Sequence, residues 1–304
     1  MSKRIEHRFL QAVKCHQPWL PNQPLTVAVS GGVDSIVLLD LLVKTQRSHQ
    51  ARLQVVTFDH GLREASQQEV VMVKEVCQSY GIPCMIHQLH LEKGPQLQER
   101  ARMARREVLL DCDGWLATAH HASDQAETIL FRMLRGSGLD GLQGMHYKQG
   151  RWVKPLLGFF KPEIYQYAKD RGLQWVEDPS NSHSTRGTIR ELWSTLASIH
   201  PNPQKAMSSV GHLLQRDADC LQELTDQQYS TVIQNEHLNV QRWKQCHLAI
   251  RSRILRQWLW TQGVSPKLQQ IEDLLVWEPQ RNGQRYTLTS SISIRQLDGL
   301  WSLC

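Results

Sequence analysis

Six residues, Ser30, Gly31, Gly32, Val33, Asp34 and Ser35, connect the apolar run LTVAV at 25–29 to the apolar stretch SIVLLDLLVK at 35–44. Paired glycines let a backbone turn tightly and approach a ligand closely. At a helix start, unpaired N–H groups and a partial positive charge of ~0.5 e favour an anion. Ser30 and Ser35 add hydroxyl donors. Asp34 repels a bare phosphate, so it makes sense beside a magnesium ion that phosphates accompany. A glycine turn with a serine capping a helix is the simpler reading of the same letters. The whole S-G-G-x-D-S pattern, after a strand and before an apolar helix, favours nucleotide binding. Walker-type loops place a lysine on the terminal phosphates, and residues 30–35 contain none.

Other candidates lie further along. Asp124 and Glu127 stand three apart at the start of a helical stretch and so share a face; acids there also complement a helix dipole. Arg100, Arg102, Arg105 and Arg106 cluster in QERARMARREVL, and three of the four share one helical side. They form either an anion contact or a solvated basic face. His60, His120 and His121 fall at strand ends, where histidines line sites or serve as structural groups. Arg135 opens RGSGLDGLQGM, which reads as a substrate-closing segment or as a helix cap followed by turns. Seven scattered cysteines without a C-x-x-C pair indicate neither a zinc site nor a disulfide framework.

The elements that must position these groups alternate. LTVAV, LQVVTF, IPCMIHQL and GWLATA read as buried strands, with helical stretches between them. One helix is expected to begin at Ser66, with Ser66 and Glu69 as a capping box and Gly81 as the stop. KPEIYQYAKDRG is another, with Pro162 in its first turn. This alternation predicts an α/β fold, an open parallel sheet with helices on both faces. Ligands bind such a sheet at the carboxyl ends of its strands, where strand order reverses. The two prolines of SIHPNPQK suggest a boundary, giving a catalytic domain at 1–200 and a smaller, mainly helical domain at 201–304. In the latter, SPKLQQIEDLLVW is expected to start with Ser265 as N-cap and Pro266 at the first helical position. Asn282-Gly283 and Asp298-Gly299 predict turns between short antiparallel strands. Trp243, Trp258, Trp260, Trp277 and Trp301 read as core, with base stacking as the alternative.

The 304 residues suffice for two domains, and 40% hydrophobic with 21% charged residues is ordinary for a globular chain. A formal charge of +6 fits a polyanionic partner but does not require one. No run approaches the ~18 apolar residues of a membrane span. The first twenty residues lack a secretory signal pattern, so a cytoplasmic protein without membrane contact is expected.

The glycine loop resembles that of the N-type ATP pyrophosphatases. These hold the β- and γ-phosphates as a leaving group while an acceptor attacks the α-phosphate. TFDHGLREAS, QERARMARREVL, AHHASDQAETILFRMLRGSGLDGLQGM and KPLLGFFKPEIYQYAKDRGLQWVEDPSN follow in order, and together they resemble the tRNA(Ile)-lysidine synthetase family. The resemblance is dense from about residue 24 to 190 and weaker beyond. It implies a PP-loop ATP pyrophosphatase fold followed by a tRNA-contacting domain. It implies ATP and Mg2+ as cofactors, with CAU-anticodon tRNA(Ile) and free L-lysine as partners. The reaction implied is adenylation of the wobble cytidine, then displacement of AMP by the lysine amine. Residues 30–35 would bind ATP, with Asp34 as a magnesium ligand. Asp34, Arg102, Asp124 and Glu127 would be catalytic. His60, Arg105, His120, His121, Arg135, Arg186 and Arg190 would contact substrate. Whether the chain forms a homodimer is open at this level.

The chain departs from the family pattern in places. Ser123 stands where the family has the first aspartate of H-H-x-D-D-Q, removing a negative charge near any magnesium ion or lysine ammonium. Arg106 replaces a tyrosine, and Gly187 replaces the asparagine of R-N-x-x-R. A proline is missing from ELWSTLAS, and longer members carry a further C-terminal domain. Two alternatives follow: a weakened or non-catalytic tRNA-binding paralogue, and another PP-loop tRNA base-modifying enzyme. Thiolation, the nearest such chemistry, needs paired cysteines that are absent.

Overall fold

The computed structural model describes residues 2–59, 64–89, 94, 97–177 and 185–304. They divide into two compact units, residues 1–212 and 213–304. The first unit opens with α1 (Ser2–His16), β1 (Pro24–Ala28), α2 (Val33–His49), β2 (Arg52–Asp59), α3 (Glu64–Tyr80) and β3 (Cys84–Gln88). There follow α4 (Leu97–Asp111), β4 (Trp115–Ala117), α5 (Ala122–Leu134), α6 (Leu139–Leu142), β5 (Lys148–Gln149) and β6 (Trp152–Val153). Next come α7 (Lys161–Asp170), α8 (Thr185–Ala197) and α9 (Pro203–Val232), within which the division between units falls.

Six strands pair in the order β3-β2-β1-β4-β6-β5, parallel except that β5 runs against β6. The order reverses between β1 and β4. The loops that leave these two strands therefore meet at one sheet edge, as a switch point requires. Side chains alternate across each strand, and in β1, β2 and β4 both sets are largely buried; β3, read from the sequence as a buried strand, is instead an edge strand with Met85 and Ile86 exposed. Leu25, Val27, Leu53, Val55 and Ala117 join α1, α2 and α7 in the main core. Val56 and Leu116 turn the other way, onto Leu109 of α4. Helices thus cover both faces, as the alternating sequence predicts. The antiparallel β5 was not expected, because two-residue strands carry no readable alternation.

α2 is the central helix. Ile36, Val37, Leu38, Leu39, Leu41 and Leu42 are all buried, an all-round apolar surface that only an interior helix can satisfy. It packs against α1 and α7. α3 starts at Glu64 rather than Ser66, so Ser66 is inside the helix and the expected capping box does not mark its start.

The second unit contains the rest of α9, β7 (Ile233–Gln234), β8 (His237–Asn239), α10 (Val240–Gln245), α11 (Leu248–Thr261) and α12 (Leu268–Val276). It ends with β9 (Arg285–Thr287), β10 (Ser293–Leu297) and β11 (Leu300–Leu303). The strands form an antiparallel sheet in the order β7-β8-β11-β10-β9. Asp298 (φ 48) and Gly299 (φ 78) make the two-residue turn between β10 and β11, as their types predict. The matching turn between β7 and β8 uses Asn235 (φ 47) and Glu236 (φ 67). Glutamate is not a turn signal, so this hairpin is invisible in the sequence. Trp243, Trp258 and Trp301 are fully buried, and the Trp243 and Trp258 ring N–H groups donate to the carbonyls of Arg251 and Glu236. Trp260 alone of the five lies exposed, at 58%. α12 begins at Leu268, not Pro266. The Lys267 N–H donates to the Gln270 Oε1 at 2.7 Å, so Lys267 is the N-cap and the Ser265 cap is displaced.

Candidate active site

The glycine loop leaves β1 and enters α2 directly. Gly31 is left-handed (φ +78), a conformation that favours glycine. Gly32 is an extended N-cap without a side-chain cap. Ser35, nearly buried, donates its hydroxyl to the Gly32 carbonyl at 2.9 Å and accepts the Ser30 N–H at 3.1 Å. Ser35 thereby closes the loop on itself, while Ser30 stays exposed beside it. The Gly31 carbonyl accepts from the Val176 N–H at 3.0 Å. The result is a rigid turn at the start of a helix, in which the Ser35 and Ile36 N–H groups donate to the Gly32 carbonyl, both at 3.1 Å, and the amides of Val33 and Asp34 come before any intrahelical acceptor.

Asp34 sits in that first turn beside Lys161 and His121. Its Oδ2 lies 2.5 Å from the Lys161 Nζ, and its Oδ1 lies 3.6 Å from the His121 Nε2. His121 caps α5. Its Nδ1 accepts the Asp124 N–H at 3.2 Å, and its own N–H donates to the Asp124 Oδ2 at 3.1 Å. An accepting Nδ1 leaves the proton on Nε2, facing Asp34; the 3.5 Å approach of Nδ1 to the Asp124 Oδ2 is then a by-product of the cap, not an ion pair. Asp34 and His121 thus bring together the loops after β1 and β4. The Asp34 Oδ1 is buried and, among the described residues, has no hydrogen-bond partner, since 3.6 Å is too long for one. This suits a magnesium ion, which binds through one or two carboxylates, phosphate oxygens and water. Among the described residues no group of three or more His, Cys, Asp or Glu side chains could hold a metal unaided.

The other acids and histidines of α5 follow. Asp124 is committed in part to the cap, and Glu127, one turn on, is 5% exposed. The His120 Nδ1 lies 2.9 Å from the Thr118 Oγ1. Ser123 is 4% exposed and its Oγ accepts the Lys161 N–H at 3.3 Å. The residue standing in place of the family's aspartate therefore ties the first turn of α5 to the first turn of α7.

The glycine-rich segment caps α5 and then forms the short helix α6 (Leu139–Leu142). Gly136 (φ +72) and Ser137 donate N–H groups to the Met133 and Arg132 carbonyls, ending α5. The Gln125 Oε1 then accepts the Met145 N–H at 2.6 Å, and the Arg132 Nη1 donates to the carbonyls of Gly141 and Gly144. A Cβ on Gly144 (φ +73) would stand 2.6 Å from the Gln125 amide. The two motifs, D-Q-A-E-T and G-L-Q-G-M, are thus one hydrogen-bonded unit. The Arg135 guanidinium stacks 5.0 Å over the Phe131 ring.

The Arg105 Nε donates to the Ala101 carbonyl of its own helix, and burial first, then the Arg102 charge, lowers its pKa. Among the described residues neither Arg102 nor Arg105 pairs with an acid. His60 and the side chains of Arg186 and Arg190 lie outside the described residues.

Sequence reasoning missed Lys161, which lies 127 residues from Asp34 in the chain. One signal was available: a lysine at the first position of a helix opposes the dipole and invites explanation. It also missed Asp40, which is fully buried in α2. Asp40 accepts the hydroxyls of Tyr80 and Tyr167, both at 2.6 Å, and Arg171 approaches it at 3.4 Å. Burial, reinforced by the Asp40 carboxylate, pushes both phenols well above their usual range. This network joins α2, α3 and α7 behind the loop.

An ATP-binding PP-loop domain model matches residues 1–196. The chain is 34% identical over 300 residues to the tRNA(Ile)-lysidine synthase of Pseudomonas aeruginosa, covering 91% of this chain and 66% of that one. It is 31% identical over 264 residues to the namesake from Haemophilus ducreyi, covering 83% and 60%. For that of Pseudomonas fluorescens the figures are 38% over 221 residues, 69% and 49%. The chain therefore spans about half to two thirds of these relatives' length. Among solved structures, the U34-tRNA thiolase NcsA from Methanococcus maripaludis superposes with a TM-score of 0.57 at 19% identity, over 69% of this chain and 78% of that one. That likeness concerns the fold. With the loop, the strand order and the family match in agreement, the chain belongs to the PP-loop domain family.

Proposed function

We propose that this protein joins L-lysine to C2 of the wobble cytidine of CAU-anticodon tRNA(Ile), giving lysidine and consuming ATP to AMP and pyrophosphate. The observation that carries the reading is Asp34. It stands at a helix start built for phosphate, at the switch point of the sheet, with a buried carboxylate oxygen that lacks a hydrogen bond. The relatives' shared name, and an overlap with this chain that runs from 69% to 91%, support the choice of substrate.

In the first step the cytidine O2 attacks the α-phosphate, forming an O–P bond as the bond to pyrophosphate breaks. Residues 30–35 would hold the departing phosphates through backbone amides and the Ser30 hydroxyl. Phosphoryl transfer depends on alignment and charge neutralisation more than on covalent help. A magnesium ion bound by Asp34 would supply part of that neutralisation. In the second step the lysine ε-amine attacks C2, the C2–O bond breaks, AMP departs with the oxygen, and the amine gives up a proton. Asp124 and Glu127 would orient the amine, with His120 and His121 beside them as proton carriers. Arg102, Arg105 and Arg135, together with His60, Arg186 and Arg190, would meet the polyanionic substrate. Residues 1–200 would form the catalytic domain and residues 201–304 would contact the tRNA body. No described helix is long and apolar enough to cross a membrane, in keeping with a cytoplasmic enzyme.

Omitting lysine tests the first step. With α-labelled ATP and unmodified tRNA(Ile), the protein is expected to release pyrophosphate and leave labelled AMP on the tRNA. Added lysine should then discharge it. Pyrophosphate release that does not depend on tRNA, with no label transferred, would contradict the reading.

A further inference from the structure

We propose that Lys161 is the phosphate-binding lysine that the glycine loop itself lacks, delivered from α7 and held by Asp34 while no nucleotide is bound. The proposal rests on the reading of residues 30–35 as an ATP site.

The loop offers amides, a hydroxyl and the partial charge of a helix start, but no full positive charge for a triphosphate. Lys161 supplies one at the right place. It is the first residue of α7, its amine lies 2.5 Å from the Asp34 Oδ2, and the amine stacks 5.2 Å from the Tyr165 ring centroid one turn on. The ammonium is therefore aimed at the first turn of α2, where the phosphates would sit. A lysine at this helix position opposes the α7 dipole. The helix start already has its complement in Glu163, whose Oε2 accepts the Phe160 N–H at 2.9 Å and whose Oε1 pairs with Arg8. Lys161 thus adds nothing that α7 needs for its own stability.

The pair with Asp34 can be exchanged. The two side chains keep 36% and 26% of their surface in water, and ion pairs open to solvent are weak. A polyphosphate brings several charge-assisted acceptors to the same amine and would displace one carboxylate. The amine's reach is set from behind. The backbone N–H of Lys161 is held by the Ser123 Oγ, and Tyr167 of α7 and Arg171, its C-cap, are bound to Asp40 of α2. The lysine and the loop therefore ride on two helices that a buried network locks together.

Equilibrium binding of ATP, inorganic pyrophosphate and AMP to the wild type, Lys161→Met and Lys161→Arg separates this role from a structural one. Lys161→Met is expected to weaken ATP and pyrophosphate by about 10- to 100-fold, in line with loss of a charged phosphate contact, and AMP by less than about twofold. Lys161→Arg should restore most of the difference. Equal weakening of all three ligands would make Lys161 a mere support for Asp34 and overturn the proposal. Unchanged ATP and pyrophosphate binding in Lys161→Met would overturn it too, leaving the ATP site intact. A wild type that binds no ATP would instead overturn the reading of the loop, and the lysine's role with it.

Discussion

Asp34→Ala is expected to slow adenylation of tRNA(Ile) by roughly 10²- to 10³-fold, the usual effect of removing one preorganised electrostatic group from a reacting centre. The protein should stay folded. Asp34 is partly exposed and its ion pair with Lys161 is open to water, so the pair contributes about 0–1 kcal/mol. At about 2–4 °C per kcal/mol for a unit of this size, the melting temperature should move by no more than about 4 °C. Asp34→Asn keeps the shape and removes the charge, and should lose nearly as much activity. Pyrophosphate release, measured with saturating tRNA and ATP, reads the effect directly. Full adenylation in either variant would remove Asp34 from the mechanism.

Asp40→Ala is expected to have the largest effect on stability. Asp40 has no exposed surface, and its loss leaves two tyrosine hydroxyls and one guanidinium without their shared acceptor. Removing one partner of a buried charged network costs about 3–5 kcal/mol. The low end applies here, because the Arg171 side chain keeps 30% of its surface in water and can hydrate. A fall of roughly 6–12 °C in melting temperature follows at the ratio above. Asp40→Asn, which keeps an acceptor oxygen, should fall by less, and Tyr167→Phe by about 1–2 kcal/mol, since it removes one hydrogen bond to a charged group. Thermal denaturation of the three variants checks the order. A melting temperature for Asp40→Ala within 2 °C of the wild type would mean that water already satisfies these groups.

What the sequence made legible was local. The S-G-G-x-D-S loop, the four main parallel strands and α2 are each decided within about fifteen residues, where turn, capping and periodicity signals suffice. The pairing of Asp34 with Lys161 is decided by strand order instead. It depends on β4 lying beside β1 and on α7 packing against α2, which no short window contains. His121 was legible as a candidate but not as the cap of α5, because an accepting imidazole serves either purpose. Ser123 shows the opposite limit. Its comparison with an aspartate suggested a missing charge near a magnesium ion or lysine ammonium, and gave no sign that the side chain is buried and accepts the Lys161 N–H of α7. The short strands β5 to β8 and the Glu236 turn escaped because two or three residues carry no period, and tertiary contacts such as the Trp258 ring N–H on the Glu236 carbonyl hold them.

The central claim is tested most directly by incubating the purified protein with ATP, magnesium, L-lysine and unmodified CAU-anticodon tRNA(Ile), then digesting the tRNA and identifying its nucleosides by mass spectrometry. Lysidine at the wobble position, formed only when both ATP and lysine are present, is the predicted result. A wobble cytidine that stays unmodified while the protein binds the tRNA and ATP would contradict the account.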